Sequence, residues 1–294
     1  MNPDTDRIIS AADRVVTTHA DALAPLTAVG RHTVERPPTV EASLAAALHL
    51  IDAKPALDHT VTELLRELIA AGISSTKLAR LMSIRHSTLT DRLAASAPAA
   101  APETGVHFGM FRRRDRLSVR AARESMIGAA RDLGRTYASA LRPISTVSQG
   151  SVPEAAVIDA ALEAVLHLHR SRAALDAALD PVLAALVLGG VRRMSVAEAL
   201  DVHPNTLQRR LMGQPLARAR WADLRDEGEG KWSVARAEVG KYKPGDPELD
   251  PAVVQAAVNE AITGAAEIVP MRGAREESAT VAESVSPFSD GLAR

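Results

Sequence analysis

The feature that most constrains this chain is that it repeats itself. Ile8 to Leu93 aligns with Met126 to Leu211 without a gap, at a constant offset of 118 residues, and 27 of the 86 aligned pairs are identical. Ala22, Leu23 and Pro25 match Ala140, Leu141 and Pro143; Leu48, His49 and Leu50 match Leu166, His167 and Leu168; Ala56, Leu57 and Asp58 match Ala174, Leu175 and Asp176. An ungapped match over this length keeps every helix and loop the same length, so the two stretches should fold alike. A repeat of about 90 residues is domain-sized, which predicts a duplicated domain rather than a solenoid of short units.

Composition sets the type of domain. Hydrophobic residues make up 46% of the 294, but aromatic residues only 2%. The apolar load falls on Ala, Leu and Val, which suits closely packed helices better than sheet. The expected fold is all-α: two homologous five-helix domains and a C-terminal helical appendage. Within each copy the first helix covers Thr5 to Leu23, or Arg114 to Leu141, and is expected to stop at Pro25 or Pro143. The second covers Val40 to Ala53 or Ile158 to Ser171. The third carries an apolar stripe, Val61, Leu64, Leu65, Leu68 and Ile69, or Leu179, Val182, Leu183, Leu186 and Val187, and ends at Gly72 or Gly190.

Two short helices around a tight turn follow in each copy. The first reads Leu78-Ala79-Arg80-Leu81-Met82-Ser83-Ile84-Arg85-His86-Ser87-Thr88-Leu89-Thr90-Asp91-Arg92-Leu93. The second reads Val196-Ala197-Glu198-Ala199-Leu200-Asp201-Val202-His203-Pro204-Asn205-Thr206-Leu207-Gln208-Arg209-Arg210-Leu211. Ala79 and Ala197 are small enough for the helices to cross closely. Ser83 or Asp201 occupies the turn, Ile84 or Val202 plugs the angle, and Leu89, Leu93, Leu207 and Leu211 anchor the second helix. Ser195 and Glu198 fit a capping box, and Pro204 a first helical position. These segments resemble the helix-turn-helix superfamily of bacterial and phage repressors and sigma-like proteins, over about twenty residues per copy. They depart from its pattern at the turn, where Ser83 and Asp201 replace a common glycine.

The resemblance implies that each second helix enters a major groove. Base-reading candidates are then Arg85, His86, Ser87, Thr90 and Asp91 in the first copy, and His203, Asn205, Gln208 and Arg209 in the second. Arg suits guanine and Asn or Gln suits adenine. Phosphate candidates are Lys77, Thr88, Arg92, Arg192, Arg193, Thr206 and Arg210, with Arg112, Arg113 and Arg114 as a basic arm or, equally, the solvated start of the long helix that follows. Core positions agree between the copies whereas outward positions differ and stay polar, as reading heads would require. The function expected is sequence-specific binding of double-stranded DNA by a transcriptional regulator, most simply a repressor, as monomer or homodimer. The alternative is a scaffold that binds protein through the same helix pairs.

The remaining features are plainer. The expected divisions are 1–97 and 114–213 for the two domains, 98–113 for the linker and arm, 214–270 for the appendage and 271–294 for a disordered tail. Trp221 and Trp232 fall in the appendage and are read as docking it on the second copy, and Ala252 to Ile268 reads as a further helix. The appendage is the expected contact for RNA polymerase or another protein. His49 and His167 read as packed, hydrogen-bonded histidines rather than metal ligands. No nucleophile–base pair, phosphate-cradling glycine loop or carboxylate pair stands out, so neither enzyme nor cofactor is expected. The absence of cysteine excludes disulfides. The longest apolar run, Val182 to Val191, is half of what a membrane span needs, and the acidic start lacks the pattern of a secretory signal. A cytoplasmic, nucleoid-associated protein is expected, although a net charge of −1 requires any DNA contact to be local rather than global.

Overall fold

Helix ends in the two copies fall at the same repeat positions. In the computed structural model, which describes residues 3–95 and 104–235, α1 (Pro3–Gly30) corresponds to α6 (Arg116–Ser148), both ending at the same repeat position. α4 (Ser75–Leu81) and α8 (Arg193–Ala199) coincide in full, and α5 (His86–Ala94) and α9 (Pro204–Leu211) start together. Gly72 and Gly190 both adopt left-handed φ, at 101° and 112°. The described chain is mostly helical, as its composition dictates.

One correspondence fails, for a local reason. In the first copy α2 (Val40–Asp52) and α3 (Lys54–Ala70) are separate helices. In the second they are the single helix α7 (Val157–Gly189). Pro55 lies in the first turn of α3, where its missing N–H is tolerated, and the break at Ala53 falls two residues before it. Its repeat partner is Ala173, which imposes no break. The second copy therefore has four helices rather than the expected five.

Pro25 and Pro143 do not stop their helices, contrary to expectation: α1 and α6 each run through the proline to the end of the helix. Each proline deprives a carbonyl four residues earlier of its partner, but those residues, Asp21 and Ser139, are exposed to water. Beyond the prolines, Leu26, Val29, Ile144 and Val147 are buried. Burying such side chains contributes about 1.5–3 kcal/mol each, enough to outweigh a lost bond of about 1 kcal/mol.

The larger correction concerns the domains. All described residues belong to one compact unit, not two. One core combines Ile8, Ala11, Ala12 and Val15 of α1, the α3 stripe, Leu78 and Leu89 with Ala140, Leu141, Ile144 and Val147 of α6 and the N-terminal half of α7. The other combines Met126, Ala129, Ala130 and Leu133 of α6, the C-terminal half of α7, Val196 and Leu207 with Ala22, Leu23, Leu26 and Val29 of α1 and the buried face of α2. Each copy thus contributes half a long helix and its second helical segment to the other copy's core. This reciprocity is that of an isologous, two-fold arrangement within one chain. The two cores lie roughly 20 Å apart along α1, judged from the helical rise between Ala11 and Leu26.

After α9, residues 214–235 dock on this body. β1 (Leu224–Asp226) and β2 (Trp232–Val234) form an antiparallel hairpin whose apolar side covers Ala121, Ala122 and Leu188. Trp232 donates through Nε1 to Glu124 at 2.9 Å, under the Arg120 guanidinium. Trp221 remains 64% exposed, so only one tryptophan docks as expected. The expected Ala252 to Ile268 helix and 271–294 tail lie outside the described residues.

Candidate nucleic-acid interface

The turn of each helix pair is built as the sequence requires, with one addition. Ser83 and Asp201 adopt left-handed backbone at φ 56° and 51°. That conformation is the one a glycine would occupy at no steric cost, and short polar residues adopt it more readily than β-branched ones. Ile84 N–H bonds to Ala79 and Val202 N–H to Ala197, both at 3.0 Å, closing the two turns identically. Ala79 and Ala197 are buried, as are Leu89 and Leu207, both fully. α8 begins at Arg193, so Ser195 lies inside its first turn and the expected Ser195–Glu198 capping box is not formed. α9 does begin at Pro204, with His203 as cap accepting the Asn205 N–H through Nδ1 at 3.2 Å.

The base-reading candidates are all exposed. Arg85, His86, Ser87, Thr90 and Asp91 lie along α5 and its start, with Thr88 beside them. His86 Nε2 lies 3.1 Å from Ser75 Oγ, tying α5 to the start of α4, and Thr90 donates to the His86 carbonyl. On α9, Asn205, Gln208 and Arg209 are exposed with Thr206, and His203 at its start. Lys77 is exposed on α4.

Several phosphate candidates are engaged elsewhere. Arg92 is half-buried, donating to Thr62 Oγ1 at 2.9 Å and pairing with Asp58 at 3.7 Å, and burial lowers its pKa. Its repeat partner Arg210 pairs with Asp180 and donates to the Asp176 carbonyl. Both side chains tie the second helix of the pair to the helix behind it, so neither is a free surface cation. Arg193 donates to the Ala217 carbonyl at 3.1 Å, and Arg114 packs at the end of α7 near the Val187 carbonyl. Arg112, Arg113 and Arg192 remain exposed, with Arg192 bonded through Nε to the Phe111 carbonyl. The segment around Arg112 is not a free arm: Phe111 and Val191 form a β-bridge, with Arg112 N–H to Gly190 and Arg192 N–H to Met110, both at 2.8 Å. Burial, and then the neighbouring Arg193, lower the pKa of Arg112.

Sequence reasoning missed Arg66, which clasps the end of α5 by donating to the Leu93 and Ala95 carbonyls, and the exposed Arg80 on α4. The first is a bond across 27 residues that no local pattern announces. His49 is half-buried and His167 exposed, so the expectation of two packed, hydrogen-bonded histidines is not met. Among the described residues no group of metal-ligating side chains converges, and no helix is long and apolar enough to cross a membrane. Comparison with protein-family models, curated proteins and solved structures finds no match to this chain.

Proposed function

We propose that the protein binds double-stranded DNA sequence-specifically, with α5 and α9 as two reading helices in one chain, and acts in transcriptional regulation as a repressor. The observation that carries this reading is the matched pair of helix-turn-helix units. Both turn through a left-handed residue, bury Leu89 or Leu207, and leave a polar recognition face outward. The two-fold relation supports it further, since a two-fold protein suits the dyad of duplex DNA. Arg85, His86, Ser87, Thr90 and Asp91, and His203, Asn205, Gln208 and Arg209, read bases. Lys77, Arg112, Arg113, Arg192, Thr88 and Thr206 contact phosphates. Because Arg92, Arg114, Arg193 and Arg210 are engaged within the body, the salt dependence of binding is set by the four remaining cations, Lys77, Arg112, Arg113 and Arg192. Fluorescence anisotropy with labelled duplexes tests the reading: affinity should fall steeply and log-linearly with salt, and a salt-independent affinity would contradict it.

A further inference from the structure

Among the described residues Phe108 is the most exposed large apolar side chain, 93% open to solvent. A lone exposed ring means nothing by itself; its mounting and surroundings do. Phe108–Met110 is a single 3₁₀ turn, in which the Met110 N–H donates to the His107 carbonyl at 3.0 Å and the Phe111 N–H to the Phe108 carbonyl at 3.1 Å. Met110 is buried in one of the shared cores, and the Phe111–Val191 bridge fixes the residues that follow. The backbone beneath the ring is thus anchored, while the ring itself is left in water.

The surroundings are cationic. Arg112, Arg113 and Arg192 are exposed, and none of them takes part in an ion pair among the described residues. Of the carboxylates close by, Asp115 is committed to capping α6 through the Ser118 N–H and hydroxyl, and Glu41 lines the groove beside Phe108. A partner that covers the ring and meets these arginines must carry an apolar face between negative charges. A base step flanked by phosphates meets both demands. The position suits it as well. Arg192, the residue that caps α8, bonds through its N–H to the Met110 carbonyl at 2.8 Å, two residues from Phe108. α8, about 10 Å long by its helical rise, then leads into the Asp201 turn and α9. When helix-turn-helix units dock, the first helix crosses the backbone that borders the groove read by the second. A side chain mounted at the start of α8 is then beside that backbone and the adjoining minor groove.

We propose that Phe108 is a wedge: with α9 in a major groove, its ring enters the neighbouring minor groove and parts one base step, while Arg112, Arg113 and Arg192 hold the flanking phosphates. The inference rests on the DNA-binding reading and adds to it a bend in the bound duplex. The device belongs to the second head alone. Ser74 and Ser75 stand at the repeat positions of Arg192 and Arg193, and among the described residues Ile73, the counterpart of Val191, forms no such bridge. The kink therefore lies beside the half-site read by α9 and is absent beside the other.

The test uses the full chain and a duplex it enriches from a random library, with 2-aminopurine placed in turn at each step flanking the half-sites and a dye pair at the duplex ends. Wild type should brighten 2-aminopurine at one step beside one half-site and draw the ends together as a kink of about 20–90° does. Phe108→Ala should bind the same sequence but lose the brightening and most of the bend. Phe108→Leu keeps an apolar wedge and should retain both. Because the ring is exposed, both variants should keep the wild-type denaturation midpoint. Should the alanine variant bind too weakly to read, the wild-type brightening at a single step decides. Binding by wild type without brightening, or a bend that survives Phe108→Ala, would overturn the wedge and leave DNA binding standing; straight DNA would assign the ring and its arginines to an acidic protein surface instead. Failure to enrich any duplex would overturn both.

Discussion

Gly72 and Gly190 are repeat equivalents with nearly the same backbone, φ 101° and 112°, yet they sit in different surroundings. A Cβ on Gly72 would meet nothing within 4 Å, whereas one on Gly190 would lie 2.7 Å from the Arg112 carbonyl oxygen. Alanine at either site carries the left-handed strain, about 1–2 kcal/mol. It also stiffens the unfolded chain equally in both, so that effect cancels in the comparison. At Gly190 the bridge to the Met110–Arg112 segment must also shift. Its two bonds, each 2.8 Å, contribute about 1 kcal/mol apiece. Gly72→Ala should therefore lower stability by about 1–2 kcal/mol and Gly190→Ala by about 3–4 kcal/mol. Urea denaturation followed by circular dichroism measures both, the difference appearing as a lower midpoint at unchanged slope. Equal losses would mean that the segment around Arg112 is not fixed to the body, and would restore the reading of it as a free basic arm.

Neighbouring arginines on α9 should separate in the same way: Arg209→Ala should leave stability within about 0.5 kcal/mol of wild type and cost about 1–3 kcal/mol of binding at one base position, measured by anisotropy on single-base variants of the site. Arg210→Ala should instead lower the denaturation midpoint, because it leaves the half-buried Asp180 without its partner. Valine at Ser83 or Asp201 should destabilise by about 1–3 kcal/mol, whereas glycine should be neutral or better; a valine variant of wild-type stability would contradict the left-handed turn. His19 is held below the ordinary histidine value chiefly by burial. The unfolded chain consequently takes up its proton first, so stability is complete above about pH 6.5 and declines as pH falls below it. His19→Phe should flatten that decline, and an unchanged pH profile would assign it to other groups. The two halves, 1–103 and 104–294, should each fail to fold alone as a monomer and should recover structure when mixed, since each core draws on both copies; a half that unfolds cooperatively as a monomer would refute the shared cores.

Local chemistry was legible in the sequence to the extent that one residue's role depends on its near neighbours. The repeat, the apolar stripe of α3, the small Ala79 and Ala197 and the first-turn Pro204 all appear in the structure as read. Features decided by distant packing were not legible. Pro25 and Pro143 are strong local stops, overridden by the burial of Leu26 and Ile144 in cores assembled from both copies. Arg92 and Arg210 look like surface cations on a recognition helix, but the carboxylates that hold them, Asp58 and Asp180, are some 30 residues away in the chain. An ungapped repeat signals shared structure and is silent on whether its units stand apart or exchange halves. Both arrangements bury the same stripes.

The central claim is that one chain carries two different DNA-reading helices related by a two-fold axis. Selection of bound duplexes from a random library, followed by measurement of the mass of the complex, tests it most directly. The outward residues differ between the heads, Arg85, His86, Ser87, Thr90 and Asp91 against His203, Asn205, Gln208 and Arg209. The account therefore predicts enrichment of an asymmetric site of two inverted halves, about 10 base pairs apart, bound by a single chain. A strict palindrome bound by two chains would contradict the single-chain reading, and the absence of any enriched sequence would contradict specific DNA recognition itself.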